Sequence, residues 1–213
     1  MSEQQGAAPP TTARRLRSPA AMALADLAAI FDELQFVLRC CERLVAELAR
    51  EPEPGRESVD EVVVDALWTA ALTSYVRCFG PGERGMGLTA DDLAATTLEG
   101  EVTQWHELLG RLRELAVEGA ANPRETFSVG AAQAPGGEVT GLVITSAMRP
   151  LVDDTTVRQT GRVAYALSVL VDERITAQQE TVLAAARELS DRDLGELVPI
   201  EVGVPAVRAP GGG

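Results

Sequence analysis

Residues 19–50 read PAAMALADLAAIFDELQFVLRCCERLVAELAR, and this stretch decides the fold. Ser18 stands before it as an N-cap, with Pro19 at the first helical position, where its fixed φ and missing N–H cost nothing. The apolar residues Leu27, Ile30, Leu34, Val37, Cys41, Leu44 and Leu48 follow in steps of three and four, a heptad seam on one face of a helix. Asp32, Arg39, Arg43 and Arg50 fall on the other side. The segment predicts a helix of roughly 45 Å at 1.5 Å per residue. Its seam has two readings. It packs inside a bundle of this chain, or it is also a dimer contact with a second copy. On this seam Cys41 faces the core, and Cys40, about 100° away, is the more exposed of the two.

The rest of the chain extends the helical pattern. Glu51-Pro-Glu-Pro-Gly55 ends the first helix, and Ser58 with Glu61 forms a capping box for a second that runs to about Phe79. Leu67, Ala71, Ser74 and Cys78 share one of its faces, and Trp68, Leu72 and Phe79 an adjoining one, the wide apolar arc of a central helix. Tyr75, Cys78 and Trp105 are expected inside. Residues 80–87 form a Gly-rich loop with no strand before it and glycines too irregular for a phosphate cradle. Thr89 and Asp92 cap a short helix. A longer one is expected over 97–119, carrying the stripe Leu98, Val102, Trp105, Leu109, Leu112 and Ala116, with His106 and Arg113 on the edge beside it.

Composition then turns to Thr, Val, Phe and Ile. Residues 126–134 and 138–148, separated by Pro135-Gly-Gly137, predict a β-hairpin. Two strands are marginal alone, so the hairpin must pack on helices or pair with a partner chain. Asp153 and Asp154 open a last long helix to about Leu189, and Ser190 with Asp193 caps a terminal turn reaching Leu197. The expected architecture is therefore mainly α: a bundle of four to five helices over 19–197, with one β-hairpin at 126–148 inserted between the last two long helices. Residues 1–18 are expected as a disordered tail, and 198–213 as a flexible one.

The 213 residues include 46% apolar but only 4% aromatic side chains, which suits an aliphatic, alanine-rich helical core and excludes general disorder. The net charge is -13, and every basic residue is arginine. That acidity argues against a broad surface for RNA or for an anionic membrane. Only the first 18 residues lean positive, through Arg14, Arg15 and Arg17, and the apolar run after them is too soon broken by Asp26 to be a signal peptide. Three cysteines without spaced pairs, Cys40, Cys41 and Cys78, point to a reducing cytoplasm. With a single histidine, His106, no two-histidine metal motif exists, and there is no CxxC or P-loop, so no cofactor or metal is expected.

The most distinctive residues are the run Leu67-Trp-Thr-Ala-Ala-Leu-Thr-Ser-Tyr-Val-Arg-Cys-Phe79 with Arg84, joined by Trp105-His106, Leu112-Arg113-Glu114 and Asn122-Pro123-Arg-Glu125. Over roughly 59–189 the chain resembles a group of bacterial proteins related to HEPN-type helical domains. The resemblance implies a helical bundle, commonly dimeric, in toxin–antitoxin or anti-phage settings. Many such domains cleave RNA without metal through an arginine followed on the same helix by a histidine, which handles the 2′-hydroxyl proton. Here Arg113-Glu114 matches the start of that motif, but the positions for histidine read Glu118, Gly119 and Ala120. A non-catalytic interaction protein, homodimeric or bound to another protein, is therefore the expected function. The alternative is a metal-independent HEPN-type ribonuclease, and a small-molecule binder is a third reading. Candidate binding residues are Tyr75, Arg77, Arg84, His106, Arg113 and Asn122. No catalytic residue is assigned.

Overall fold

The computed structural model describes residues 12–51, 59–80, 85–118, 125–148 and 150–200. It is mainly α with one hairpin. Helix α1 spans Pro19–Leu48, and its first orphan amides are met by Ser18, whose hydroxyl accepts from the Ala21 N–H at 3.2 Å. Helix α2 is Glu61–Arg77. Its cap is Asp60, whose carboxylate accepts from Val63 N–H, while Ser58 lies outside the described residues. Helices α3 (Ala90–Ala95) and α4 (Val102–Arg113) follow, and α4 continues as a π-turn over Glu114–Glu118. Strands β2 (Glu125–Gln133) and β3 (Val139–Met148) form the hairpin. Helix α5 (Asp154–Arg187) is capped by Asp153, and α6 (Asp191–Glu196) by the Ser190–Asp193 box.

Helix α1 is the centre of the bundle, flanked by α5 on one side and α2 on the other. Helix α5 runs antiparallel to it, since Gly161 lies against Cys41 and the Gln178 amide donates to Ala20 O at 2.9 Å. The direction of α2 is also opposite: Cys78 reaches Ile30, while Glu47 accepts from Asp60 N–H at 2.8 Å. Leu27, Ile30, Leu34, Val37, Cys41 and Leu44 are all buried within this one chain, and Leu48 packs at the edge of the same core. The seam expected as a dimer contact is thus a core seam as folded, already covered by α5 and α2. Coverage from two sides also corrects the cysteines. Cys40 is 3% exposed and Cys41 5%, because a residue turned 100° from the seam still meets a neighbour.

Other boundaries differ for local reasons. The helix expected over 97–119 starts only at Val102, because Gly100 adopts φ +101° and breaks it. Leu98 still packs on the core from the loop. The two tails are not wholly loose. Ala13–Arg14 (β1) pairs antiparallel with Pro199–Ile200 (β4), Arg15 N–H donates to Val198 O, and the Arg14 guanidinium donates to Leu197 O.

The hairpin turns through Ala134–Gly137. Gly137 N–H donates to Ala134 O at 2.8 Å, and Gly137 takes φ +85°, a left-handed position that favours glycine. Register places Val129 opposite Ile144 and Ala131 opposite Leu142. Among the described residues no helix covers this ribbon: Phe127 (58%), Val129 (68%), Leu142 (77%) and Ile144 (70%) all remain exposed.

Candidate functional site

The sequence-derived candidates do not form one site. Tyr75, on the inner side of α2, is fully buried, and its hydroxyl shares a hydrogen bond with His106 Nδ1 across the α2–α4 interface at 3.2 Å. The imidazole packs tilted against Phe79 with centroids 4.1 Å apart. Burial pushes the His106 pKa below its ordinary value, partly offset by Glu107, which favours the neutral ring. Burial likewise pushes the Tyr75 phenol up, helped by nearby Cys78. His106 is thus held by a buried phenol and a neighbouring ring.

Arg77 points to the other side of α2 and pairs with Glu33 of α1 at 3.0 Å. Arg113 is half-buried at the last residue of α4, where the winding widens into the π-turn. Arg84 and Asn122 lie outside the described residues. Trp105 is only partly buried, against the expectation of a core position, although its indole N–H is buried and lacks an acceptor among the described residues. Among the described residues no group of three His, Cys, Asp or Glu side chains could hold a metal ion.

Two surfaces were missed or underread in the sequence. The first is the apolar face of the hairpin. Strand alternation puts Phe127, Val129 and Ala131 on one face with Leu142 and Ile144, and the opposite face carries Ser128, Gly130, Ala132 and Gly141 with Val143 and Thr145. Residues 126–137 and 139–148 contain no charged side chain. The second surface is a groove of about 800 Å³ between the α3–α4 connection and the first half of α5. Leu98, Tyr165, Val169 and Leu170 supply its apolar wall, and Arg158, Arg162 and Glu173 its polar rim. Tyr165 and Val169 are exposed although they are one helical turn apart on α5, the spacing of a second apolar stripe. That spacing was the available signal. The stripe lies beside the one formed by Val163, Leu167 and Val171, which faces the core.

No family model matches the chain, and no curated protein or solved structure matches it. No helix among the described residues is long and apolar enough to cross a membrane.

Proposed function

We propose that this protein is a non-catalytic helical interaction module that associates with a second copy of itself. The observation that carries this reading is the hairpin, a ribbon with four large apolar side chains exposed on one face and charges only at its root, Glu125, and in its turn, Glu138. Isolated proteins manage such ribbons with edge charges, prolines or a covering element, and a partner is the remaining cover. Association through a ribbon charged only at its root and turn also suits a chain of net charge -13. The resemblance to HEPN-type domains suggests a toxin–antitoxin or anti-phage setting for the assembly.

A non-catalytic reading is supported by His106, whose Nδ1 is engaged by the buried Tyr75 hydroxyl, and by Arg77, which is turned toward Glu33. Two measurements test the reading. Sedimentation across micromolar concentrations is expected to show a concentration-dependent dimer, and a monomer throughout would overturn self-association. Incubation with mixed single-stranded RNA, with and without divalent metal, is expected to give no cleavage above background. Cleavage abolished by His106→Ala or Arg113→Ala would restore the ribonuclease.

A further inference from the structure

We infer that the hairpin of one copy lies in the α5 groove of the second, reciprocally, so that the dimer is closed by two identical hairpin-in-groove contacts; this rests on the self-association proposed above. The two surfaces match in chemistry and size. The hairpin offers Phe127, Val129, Leu142 and Ile144 on strands whose residues 126–133 and 139–148 carry no charge, with Glu138 in the turn between them. The groove offers Leu98, Tyr165, Val169 and Leu170, with its charged groups Arg158, Arg162 and Glu173 beside them, Arg158 already paired with Asp154 at 2.6 Å. The docked segments strand no charge. The groove wall from Arg158 to Glu173 runs about 22 Å at 1.5 Å per residue, and the ribbon about 30 Å, so the arm spans the wall with its root outside.

Area decides for two contacts over one. Over the roughly 22 Å of groove wall a two-stranded ribbon covers about 210 Å² per face. One contact therefore removes about 420 Å² counting both partners, the size of a poor packing contact, whereas two reach about 840 Å², the size of a weak, transient interface. A two-fold arrangement supplies the second contact with no new surface. The position of both features at the start of α5 makes the exchange local. The hairpin returns to the chain just before Asp154, and the groove begins one turn later at Arg158.

The test uses the full chain and two double variants at exposed positions. Leu142→Asp with Ile144→Asp spoils the arm, and Tyr165→Asp with Val169→Asp spoils the groove, while circular dichroism checks that the helices persist. Each variant alone is expected to dimerise about a hundredfold or more weakly, because either contact would then bury charge against an apolar wall. Mixed together, they are expected to associate far more weakly than wild type, since only the groove variant's arm and the arm variant's groove remain intact and one contact is too small to hold a dimer. Disulfide trapping of Leu142→Cys in one copy against Val169→Cys in the other gives an independent reading, as the three native thiols are buried. A groove variant that dimerises like wild type overturns hairpin-in-groove docking while leaving self-association through the hairpin intact. Wild type that stays monomeric overturns both. A mixture that dimerises as tightly as wild type overturns the need for two reciprocal contacts.

Discussion

Replacing Arg174 with alanine tests how α3 is fastened to α5. Asp92 sits in the first turn of α3, with its side chain 8% exposed, and its carboxylate accepts from the Thr89 N–H (2.7 Å), the Thr89 hydroxyl (3.1 Å) and the Arg174 guanidinium of α5. Removing one partner of a buried ion pair costs about 3–5 kcal/mol, mostly because the other charge is left dry. Two features reduce that figure here. The Thr89 donors remain, and Arg174 is 39% exposed, so its departure opens a path for water. The expected loss is about 2 kcal/mol, or a fall of about 1 M in the urea midpoint at the usual slope for a small domain. Asp92→Asn should cost about 1 kcal/mol, since it keeps an acceptor for Thr89 and leaves Arg174 free to turn to water. The double variant should resemble Asp92→Asn alone, because no buried charge then remains. The pH dependence distinguishes charge from mere packing. Burial pushes the Asp92 pKa up, but Arg174 and Thr89 more than offset it and hold it below 3.8. The pair's contribution is thus present above 3.8 and lost as pH falls through the lower folded value. The gap between wild type and Arg174→Ala should therefore narrow in acid. A gap of equal size in urea melts at pH 7 and pH 3, or no gap at pH 7, would refute the reasoning.

Three further outcomes are expected. Gly87→Ala should destabilise by about 1–3 kcal/mol in the same urea assay, because its Cβ would meet the Phe79 carbonyl oxygen at 2.9 Å in a loop pinned by Leu88 N–H to Cys78 O; Gly161→Ala, whose Cβ meets Cys41 at an ordinary 3.5 Å, should be tolerated. Stability should fall as pH drops from 6.5 toward the lowered folded pKa of His106, since the unfolded histidine takes the proton first; His106→Gln, followed by thermal melts between pH 7 and pH 5, should remove most of that slope. Thiol labelling of the folded protein at pH 8 should be slow at Cys40, Cys41 and Cys78 alike, because all three are buried and burial lifts Cys41 to about 12; prompt reaction of Cys40 would contradict the two-sided covering of α1.

Caps and turns carried much of the fold in readable form. Ser18-Pro19, Thr89 with Asp92, Asp153, and Ser190 with Asp193 each mark a helix start by an interaction spanning three residues, and Pro135-Gly-Gly137 marks the hairpin turn in the same local way. The partner of the α1 seam was not readable. A period of 3.5 records that a helix faces another helix, and α5 of the same chain satisfies it as well as a second copy would. The β1–β4 pair escaped notice because two-residue strands have no periodicity, and their partners lie at opposite ends of the sequence. The groove depends on Gly100 delaying the start of α4, so that Thr96, Thr97 and Leu98 run as an open connection beside α5. For Tyr75 and His106, sequence named the residues but not their pairing, which arises only where α2 and α4 cross.

The β1–β4 ladder has a consequence for how this body could be handled as a unit. Ala13 lies directly across from Ile200, so the chain enters and leaves the helical body through a doorway about 5 Å wide. A segment with such neighbouring ends can be spliced into a surface loop of a host protein without prising the host apart. The same geometry allows a circular permutant of residues 13–200, with Ala13 and Ile200 joined by a short Gly-Ser bridge and new ends cut between Pro135 and Gly136. That permutant would keep every helix continuous and divide the hairpin into two separate strands, turning a tethered arm into two free ones.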